Sequence, residues 1–144
     1  MLRYRFVNHT ADIEFIAYGK DLNEVFRNAL LALFDTIAYR SKLYSAKSES
    51  TTISISAEGT DKESLLWGTL QKALSVCDAR GVFAYDVSTL IIRNRVAKLQ
   101  LRTKLIARDK CQKCAKFDVK GVSKYDMIIE RGANVLKAQV VVDV

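Results

Sequence analysis

The segment DLNEVFRNALLALFDTIA, residues 21–38, is the feature that most constrains how this chain can fold. Its apolar residues recur at intervals of three and four positions: Leu22, Val25, Phe26, Ala29, Leu30, Leu33, Phe34 and Ile37. This spacing predicts an amphipathic helix. Asp21, followed three residues later by Glu24, resembles a capping box and predicts that the helix begins near residue 22.

A second helix is predicted from DKESLLWGTLQKALSVCDARG, residues 61–81. Thr60 and Glu63 have the spacing of a capping box, and Gly81 is a natural residue to end the helix. The apolar stripe of this helix consists of Leu66, Leu70, Ala73, Leu74 and Cys77.

The remaining apolar segments are rich in aromatic and β-branched residues and predict strands. They cover residues 2–7, 13–18, 51–57, 82–92, 96–107, 116–130 and 135–142, and the polar residues 39–50 predict an exposed loop. Two helices among many sequentially neighbouring strands favour an α+β domain with a largely antiparallel sheet. Each capped helix has adjoining strands, which suggests an internal duplication.

Composition and charge limit the class of protein further. A chain of 144 residues with 49% hydrophobic and 27% charged residues is typical of one soluble globular domain. Its apolar runs are far shorter than the roughly 20 residues of a membrane-spanning helix, and MLRYRFVNH lacks the features of a secretory signal. We therefore expect a cytoplasmic protein that is not bound to a membrane.

The chain has 23 Lys and Arg against 16 Asp and Glu, a formal charge of +7. The densest basic segment, residues 93–120, interleaves its charges with Val, Leu and Ile. This pattern fits the solvated face of a strand, and it also fits a surface that contacts nucleic-acid phosphates.

Three cysteines without a secretory context make a disulfide framework improbable. Cys111 and Cys114 form a CxxC in a lysine-rich segment, which we interpret as the tip of a hairpin loop. The alternatives are a redox pair and an intermolecular zinc site. The zinc site would be intermolecular because zinc needs four ligands and this chain offers only Cys77 and His9 as further candidates.

The common catalytic and nucleotide-binding motifs are missing from the sequence. It contains one histidine, His9, and no GxSxG, Walker A, GxGxxG or HExxH sequence. A stand-alone enzyme is therefore a weaker expectation than a binding protein.

Two acidic residues near the two ends of the chain suggest a cation site. Asp12 lies at the start of a predicted strand in VNHTADIEF, and Asp143 would lie beside a terminal carboxylate on Val144 if the native chain ends there. Hard cations such as Ca²⁺ and Mg²⁺ bind several carboxylate and main-chain oxygens, which these residues would supply if the first and last strands were neighbours. The alternatives are that Asp12 caps a turn and that Asp143 is a solvated chain end.

Three blocks of the sequence resemble the archease family. They are HTADIEFIAYGKDLNEVFRNALLALFDTI, DKESLLWGTLQKAL and KAQVVVDV, and they lie in the family's order across the chain. The resemblance implies a single domain, residues 1–144, with a two-layer α+β fold. In this fold one strand-helix-strand-strand module, roughly residues 50–118, is inserted into another.

The resemblance also implies a function. Archeases are protein cofactors of the RtcB-type tRNA ligase in tRNA splicing, and are not themselves enzymes. They promote the ligase's metal- and GTP-dependent guanylylation and allow multiple turnover, so tRNA would be contacted indirectly through the ligase. The alternatives are a basic RNA- or DNA-binding module, whose residues 93–120 contact phosphates, and a stand-alone metal-dependent hydrolase.

The family's metal-binding residues correspond to Asp12, Asp143 and the main-chain oxygen of Val144. The expected cofactor is a divalent metal ion, Ca²⁺ first, with Mg²⁺ and Mn²⁺ as alternatives. His9 would orient Asp12 or touch the partner, unless it makes a purely structural hydrogen bond.

The sequence departs from the family pattern in two places. VSKYDM has Lys124 and Tyr125 where the family has a tyrosine and a histidine. WGTL in the second helix stands where an acidic residue and a tryptophan are common.

Overall fold

The computed structural model describes residues 2–7, 12–105 and 112–144. In chain order these residues form β1 (Tyr4–Val7), β2 (Ile13–Gly19), α1 (Leu22–Ile37), α2 (Arg40–Ser45), β3 (Ser50–Glu58), α3 (Lys62–Arg80), β4 (Val82–Arg93), β5 (Val96–Leu105), a 3₁₀ turn (Gln112–Cys114), β6 (Gly121–Val122), β7 (Ile128–Arg131) and β8 (Leu136–Asp143).

The strands form two antiparallel sheets. In the first sheet the order is β1, β2, β8, and both β6 and β7 pair with β8 along its other edge. The second sheet has the order β3, β5, β4. The α+β class with antiparallel sheets is thus confirmed.

The second sheet is built from one continuous part of the chain. β3, α3, β4 and β5 follow one another, whereas the first sheet is assembled from segments on both sides of them. This order is the strand-helix-strand-strand module within another module that the resemblance implied. The module boundaries at residues 50 and 118 stay a prediction.

Both long helices bury their apolar faces in one continuous core. α1 packs on β2, β4 and β8, and α3 packs on β3, β4 and β5 as well as on β6 and β7. The fully buried side chains include Phe15, Phe26, Leu30, Leu66 and Leu101. The predicted stripe of α1 lies in this core, and α1 also buries Asn28, Leu31, Ala32 and Thr36, because it packs on strands of both sheets. No helix in the described part of the chain is both long and apolar enough to cross a membrane.

The junction between strand and helix has the same design in both modules. Gly19 ends β2 and Gly59 directly follows β3, and each lies three residues before a helix begins. A Cβ on Gly19 would lie 2.5 Å from the main-chain nitrogen of Val25, and one on Gly59 would lie 2.3 Å from that of Leu65. This repeated close approach, at a spacing of six residues, supports the internal duplication.

An aspartate caps each of these helices, two residues after the glycine. Asp21 accepts a hydrogen bond from the Glu24 amide at 2.8 Å, as predicted, but the Glu24 side chain accepts from the Lys20 amide at 3.3 Å and does not complete the predicted capping box. In α3 the cap is Asp61, which accepts from the Ser64 amide at 2.7 Å, while Ser64 Oγ accepts from the Asp61 amide at 3.1 Å. The predicted pair of Thr60 and Glu63 is therefore wrong by one residue, and Gly81 ends the helix in a left-handed conformation as predicted.

Side chains from the helices close the free edge of β4. Asn23 Nδ2 donates to the Leu90 carbonyl at 2.8 Å, Arg27 donates to the Val87 carbonyl at 2.5 Å, and Arg40 Nε donates to the Tyr85 carbonyl at 2.9 Å. An edge strand presents unpaired carbonyls, and these bonds satisfy three of them.

Two sequence predictions of local structure are wrong. Residues 116–130 are not one strand: β6 and β7 pair successively with β8, and the turn between them is held by a 2.7 Å bond from Ser123 Oγ to Asp126. Residues 39–50 are not only loop, because α2 forms where Leu43 is buried against Ala38 and Phe83.

Candidate metal-binding edge

Asp12 and Asp143 lie at the same end of two neighbouring strands. β2 and β8 pair from Gly19–Leu136 to Ile13–Val142, and the two aspartates are the next residue on each side. Opposite residues of an antiparallel pair have Cα atoms about 4.5–5.5 Å apart, and Asp12 and Asp143 each directly adjoin the last such pair, Ile13 with Val142. The last strand, β8, is a neighbour of β2 and not of the first strand, β1, which lies beyond β2 at the edge of the sheet. We call Asp12, Asp143 and Val144 the acidic edge.

The C-terminal part of the acidic edge is open to solvent. Asp143 is exposed and Val144 is 37% exposed. The Asp143 carbonyl already accepts a hydrogen bond from the Lys120 amide at 2.8 Å, which fixes the backbone beside β6. The Asp143 carboxylate is left on the surface.

A cavity of about 300 Å³ opens beside Asp12. Its wall is formed by the end of β1, the start of β2, the last turn of α1 and the segment after the 3₁₀ turn. The lining residues are Phe6, Val7, Asp12, Ile13, Asp35, Thr36, Lys116 and Phe117. Phe6 and Phe117 are about half exposed, so the cavity has apolar surface beside two carboxylates and the ammonium group of Lys116.

Asp35 is a second carboxylate of this cavity that our sequence reasoning missed. The Tyr4 hydroxyl donates a hydrogen bond to the Asp35 carboxylate, and Arg40 Nη1 lies 3.6 Å from the same carboxylate. Lys116 Nζ donates to the Asp35 carbonyl at 2.8 Å. The sequence did contain a sign of this role, because Asp35 is an acidic residue in the otherwise apolar end of a helix, LLALFDTI.

The partly buried hydrogen bond from Tyr4 to Asp35, a residue of the cavity wall, should make the stability of the protein depend on pH above about pH 10. Burial and the bond to Asp35 raise the pKa of Tyr4 from 10.0 to about 12. Because the raised pKa favours the protonated phenol in the native state, this stabilisation is complete below about pH 10 and is lost as the pH rises to about 12. We expect the free energy of unfolding, measured with urea, to fall more steeply over this interval in the wild type than in Tyr4→Phe. Equal slopes would contradict the assignment.

The chemistry of the acidic edge fits a hard divalent cation. Its donors are two carboxylates and main-chain oxygens, which are the ligands that Ca²⁺ and Mg²⁺ prefer. Among the residues described by the structure, Arg40–Asp35 is the one ion pair, so neither carboxylate of the edge is neutralised by a described basic side chain. The same residues contain no group of three or more His, Cys, Asp and Glu that could hold a metal ion. A cation here therefore requires main-chain oxygens or residues outside the described ranges.

His9 and Cys111 lie outside the described residues, so their predicted roles stay predictions. Cys114 is 4% exposed and packs with Ala38 and Phe83, which differs from the exposed loop tip that we expected. Cys77 lies in α3, where burial raises the pKa of its thiol to about 11.

The two departures from the family pattern contact each other. Lys124 Nζ lies 5.0 Å from the ring centroid of Trp67, in the WGTL segment, and Trp67 Nε1 donates to the Val122 carbonyl at 2.8 Å. Tyr125 beside it is 98% exposed. Lys124 and Tyr125 follow β6, whose Gly121 pairs with Asp143. The turn that departs from the family pattern is therefore next to the acidic edge.

Comparison with known proteins identifies one family. The model of the Archease protein family (MTH1598/TM1083) matches residues 4–144. The chain is 31% identical over 144 residues to the protein archease of Methanosarcina acetivorans, covering 99% of this chain and 96% of that protein. It is 35% identical over 133 residues to the protein archease of Pyrococcus furiosus, covering 91% and 90%.

Two solved structures have the same fold. The solution structure of protein 1598 of Methanobacterium thermoautotrophicum superposes with a TM-score of 0.70 at 28% identity, covering 99% of each chain. The crystal structure of an archease, a possible chaperone, from Thermotoga maritima gives a TM-score of 0.65 and covers 96% of this chain and 94% of that one. Its 17% identity supports the fold alone.

Proposed function

Since the chain belongs to the archease family, we propose that it is a cytoplasmic, metal-binding activator of an RtcB-type tRNA ligase. It promotes guanylylation of the ligase and its multiple turnover in tRNA splicing. It acts as a protein cofactor and contacts tRNA through the ligase. Asp12, Asp143 and the main-chain oxygen of Val144 hold the divalent cation, with Ca²⁺ as the first candidate.

The observation that carries this proposal is the register of β2 and β8. Ile13 pairs with Val142, and Asp12 and Asp143 each directly adjoin this pair although they belong to opposite ends of the chain. Two carboxylates in adjacent positions of an antiparallel pair repel each other. A bound cation supplies the positive charge that offsets this repulsion, which explains why the fold would keep two such residues together.

The chain's own residues have separate tasks in the proposed mechanism. The acidic edge is presented at the rim of the first sheet, where Asp143 is exposed and accessible to a protein partner. It would dock at the ligase active site and orient the histidine there, which attacks GTP, takes up the GMP group and releases pyrophosphate, and a cation held by the edge would offset negative charge at that site. The cavity beside Asp12, lined in part by Phe6 and Phe117, offers apolar surface to the same partner. His9 orients Asp12 or touches the partner.

The proposal is tested by tRNA joining with an RtcB-type ligase at substoichiometric concentration. The wild-type protein should raise the amount of joined tRNA above one product per ligase molecule. If the protein gives no increase, the activator function is wrong. RNA cleavage or hydrolysis without any ligase, lost in Asp12→Ala, would instead identify a metal-dependent hydrolase.

A further inference from the structure

The outer face of the second sheet carries a polar and basic surface that the proposed ligase contact does not use. Its members lie opposite one another across the strands: Ser54 faces Gln100, Ser56 faces Lys98, and on the other side Thr89 faces Gln100 and Ile91 faces Lys98. All six side chains are exposed, and they line an open groove of about 490 Å³. We call these six residues the outer groove.

Basic residues extend the outer groove at one end. β4 and β5 are joined by a tight turn in which Asn94 and Arg95 have φ angles of 48° and 67°. The turn presents Arg93 and Arg95 to solvent beside Lys98. Glu58, paired with Val96 on the neighbouring strand, is the nearby carboxylate, so this end of the face is positively charged. Arg102 continues the row on β5, about 13 Å from Lys98 at four residues of strand.

The polar side chains of the outer groove are held only loosely by each other. Gln100 Nε2 is 3.4 Å from Ser54 Oγ, and Thr89 Oγ1 is 3.4 Å from Gln100 Oε1. Hydrogen bonds of this length are at the weak end of the range. The hydroxyl and amide groups can therefore exchange these bonds for contacts with a ligand at little energetic loss.

The composition of this surface favours a nucleic-acid backbone over a protein. Phosphate and sugar contacts are made by Arg, Lys, Ser, Thr and Gln, which are the residues found here. Protein interfaces have a core enriched in aromatic residues, whereas the groove is lined by the aliphatic residues Ile55, Ile91 and Leu99, of which only Ile91 is exposed. With no aromatic ring exposed on β3, β4 or β5, bases have nothing to stack on.

We propose that the outer groove, with Arg93 and Arg95, binds the phosphate backbone of RNA without reading its sequence. Lys98 and the two arginines contact phosphates, and the serine, threonine and glutamine side chains contact phosphate or ribose oxygens. This direct RNA contact would be additional to the contact with tRNA through the ligase, and it lies on a different sheet from the acidic edge. From the sequence, residues 93–120 were a candidate nucleic-acid surface. The proposed surface uses only residues 93–100 of that segment, together with exposed side chains of β3 and β4.

Fluorescence anisotropy of a fluorescein-labelled oligouridine tests the proposal. We expect a dissociation constant of about 10⁻⁵ M at about 50 mM salt, with a logarithmic salt slope of about −0.7 for each phosphate contacted. The variant Arg93→Gln/Lys98→Gln should weaken binding about tenfold and reduce the slope by about 1.4, since two contacts are removed. Ser56→Asp, which places a carboxylate opposite Lys98 and removes no cation, should also weaken binding.

The matched control removes two positive charges elsewhere. Lys72 on α3 and Lys137 on β8 are exposed, and Lys72→Gln/Lys137→Gln should change the RNA affinity less than twofold. Equal losses in both double variants would mean that RNA senses only the net charge, and the proposal would be wrong. Displacement of the RNA by polyglutamate at an equal concentration of charges would also overturn it, because the surface would then suit any acidic chain. Far-UV circular dichroism should be unchanged in all variants.

Discussion

Asp12→Asn and Asp143→Asn are each expected to abolish stimulation of the ligase. Each substitution keeps the size of the side chain and removes the negative charge that attracts a cation. Replacing groups that merely support a metal ligand lowers metal affinity about 10–100-fold, so loss of a ligand should reduce Ca²⁺ affinity by about 100-fold or more. Joining should then fall to the amount obtained with the ligase alone.

Two measurements separate the metal from the partner. Isothermal titration with Ca²⁺ reports binding by the isolated protein, and joined tRNA per ligase molecule reports the activation. Glu130→Gln is the control, because Glu130 is an exposed carboxylate opposite Lys137, toward the other end of β8. It should bind Ca²⁺ and stimulate the ligase like the wild type.

The outcomes distinguish the parts of the proposal. Variants that stimulate joining as well as the wild type would show that the acidic edge is not required. Variants that bind Ca²⁺ normally but fail to stimulate would remove the metal from the mechanism and leave the two carboxylates as partner contacts.

Gly59→Ala is expected to destabilise the protein by much more than Gly81→Ala does. The new Cβ would lie 2.3 Å from the Leu65 nitrogen and 2.5 Å from its Cα, both backbone atoms of the first turns of α3. A backbone contact cannot be relieved by a rotamer change, so strand and helix must move apart. Overpacking of this kind costs about 3 kcal/mol, which corresponds to a fall in melting temperature of about 10 °C for a domain of this size.

Two further glycines provide the comparison by thermal and urea unfolding. Gly19→Ala meets the Val25 nitrogen at 2.5 Å and should lose a similar amount. Gly81→Ala has open space around its Cβ but a φ of +64°, so it should lose only about 1 kcal/mol. If Gly59→Ala is as stable as Gly81→Ala, the junction is not tightly packed.

The helices were predictable because the interactions that define them are local. Asp21 and Glu24 are three residues apart, and so are Asp61 and Ser64. The misplaced cap in α3 arose because Thr60 and Asp61 are both good capping residues. Comparing the two modules would have resolved it, since each has Gly, one intervening residue and then the capping Asp.

The elements that were misjudged depend on distant partners. The segment 116–130 pairs with two different stretches of the same edge of β8, β6 with Val142 and Asp143 and β7 with residues 136–139, so a turn between them interrupts the strand. The helix α2 has little sequence signal of its own, and the burial of Leu43 in a small cluster with Tyr85 stabilises it.

The sequence by itself determined the candidate residues, because Asp12 and Asp143 stand at strand ends whatever the topology. It also determined both long helices, whose apolar spacing and caps act within a few residues. Only the tertiary structure decided that β2 is the neighbour of β8 and that Asp35 lines the cavity beside Asp12. Pairing between distant strands depends on the burial of the whole core, which no local pattern of residues specifies.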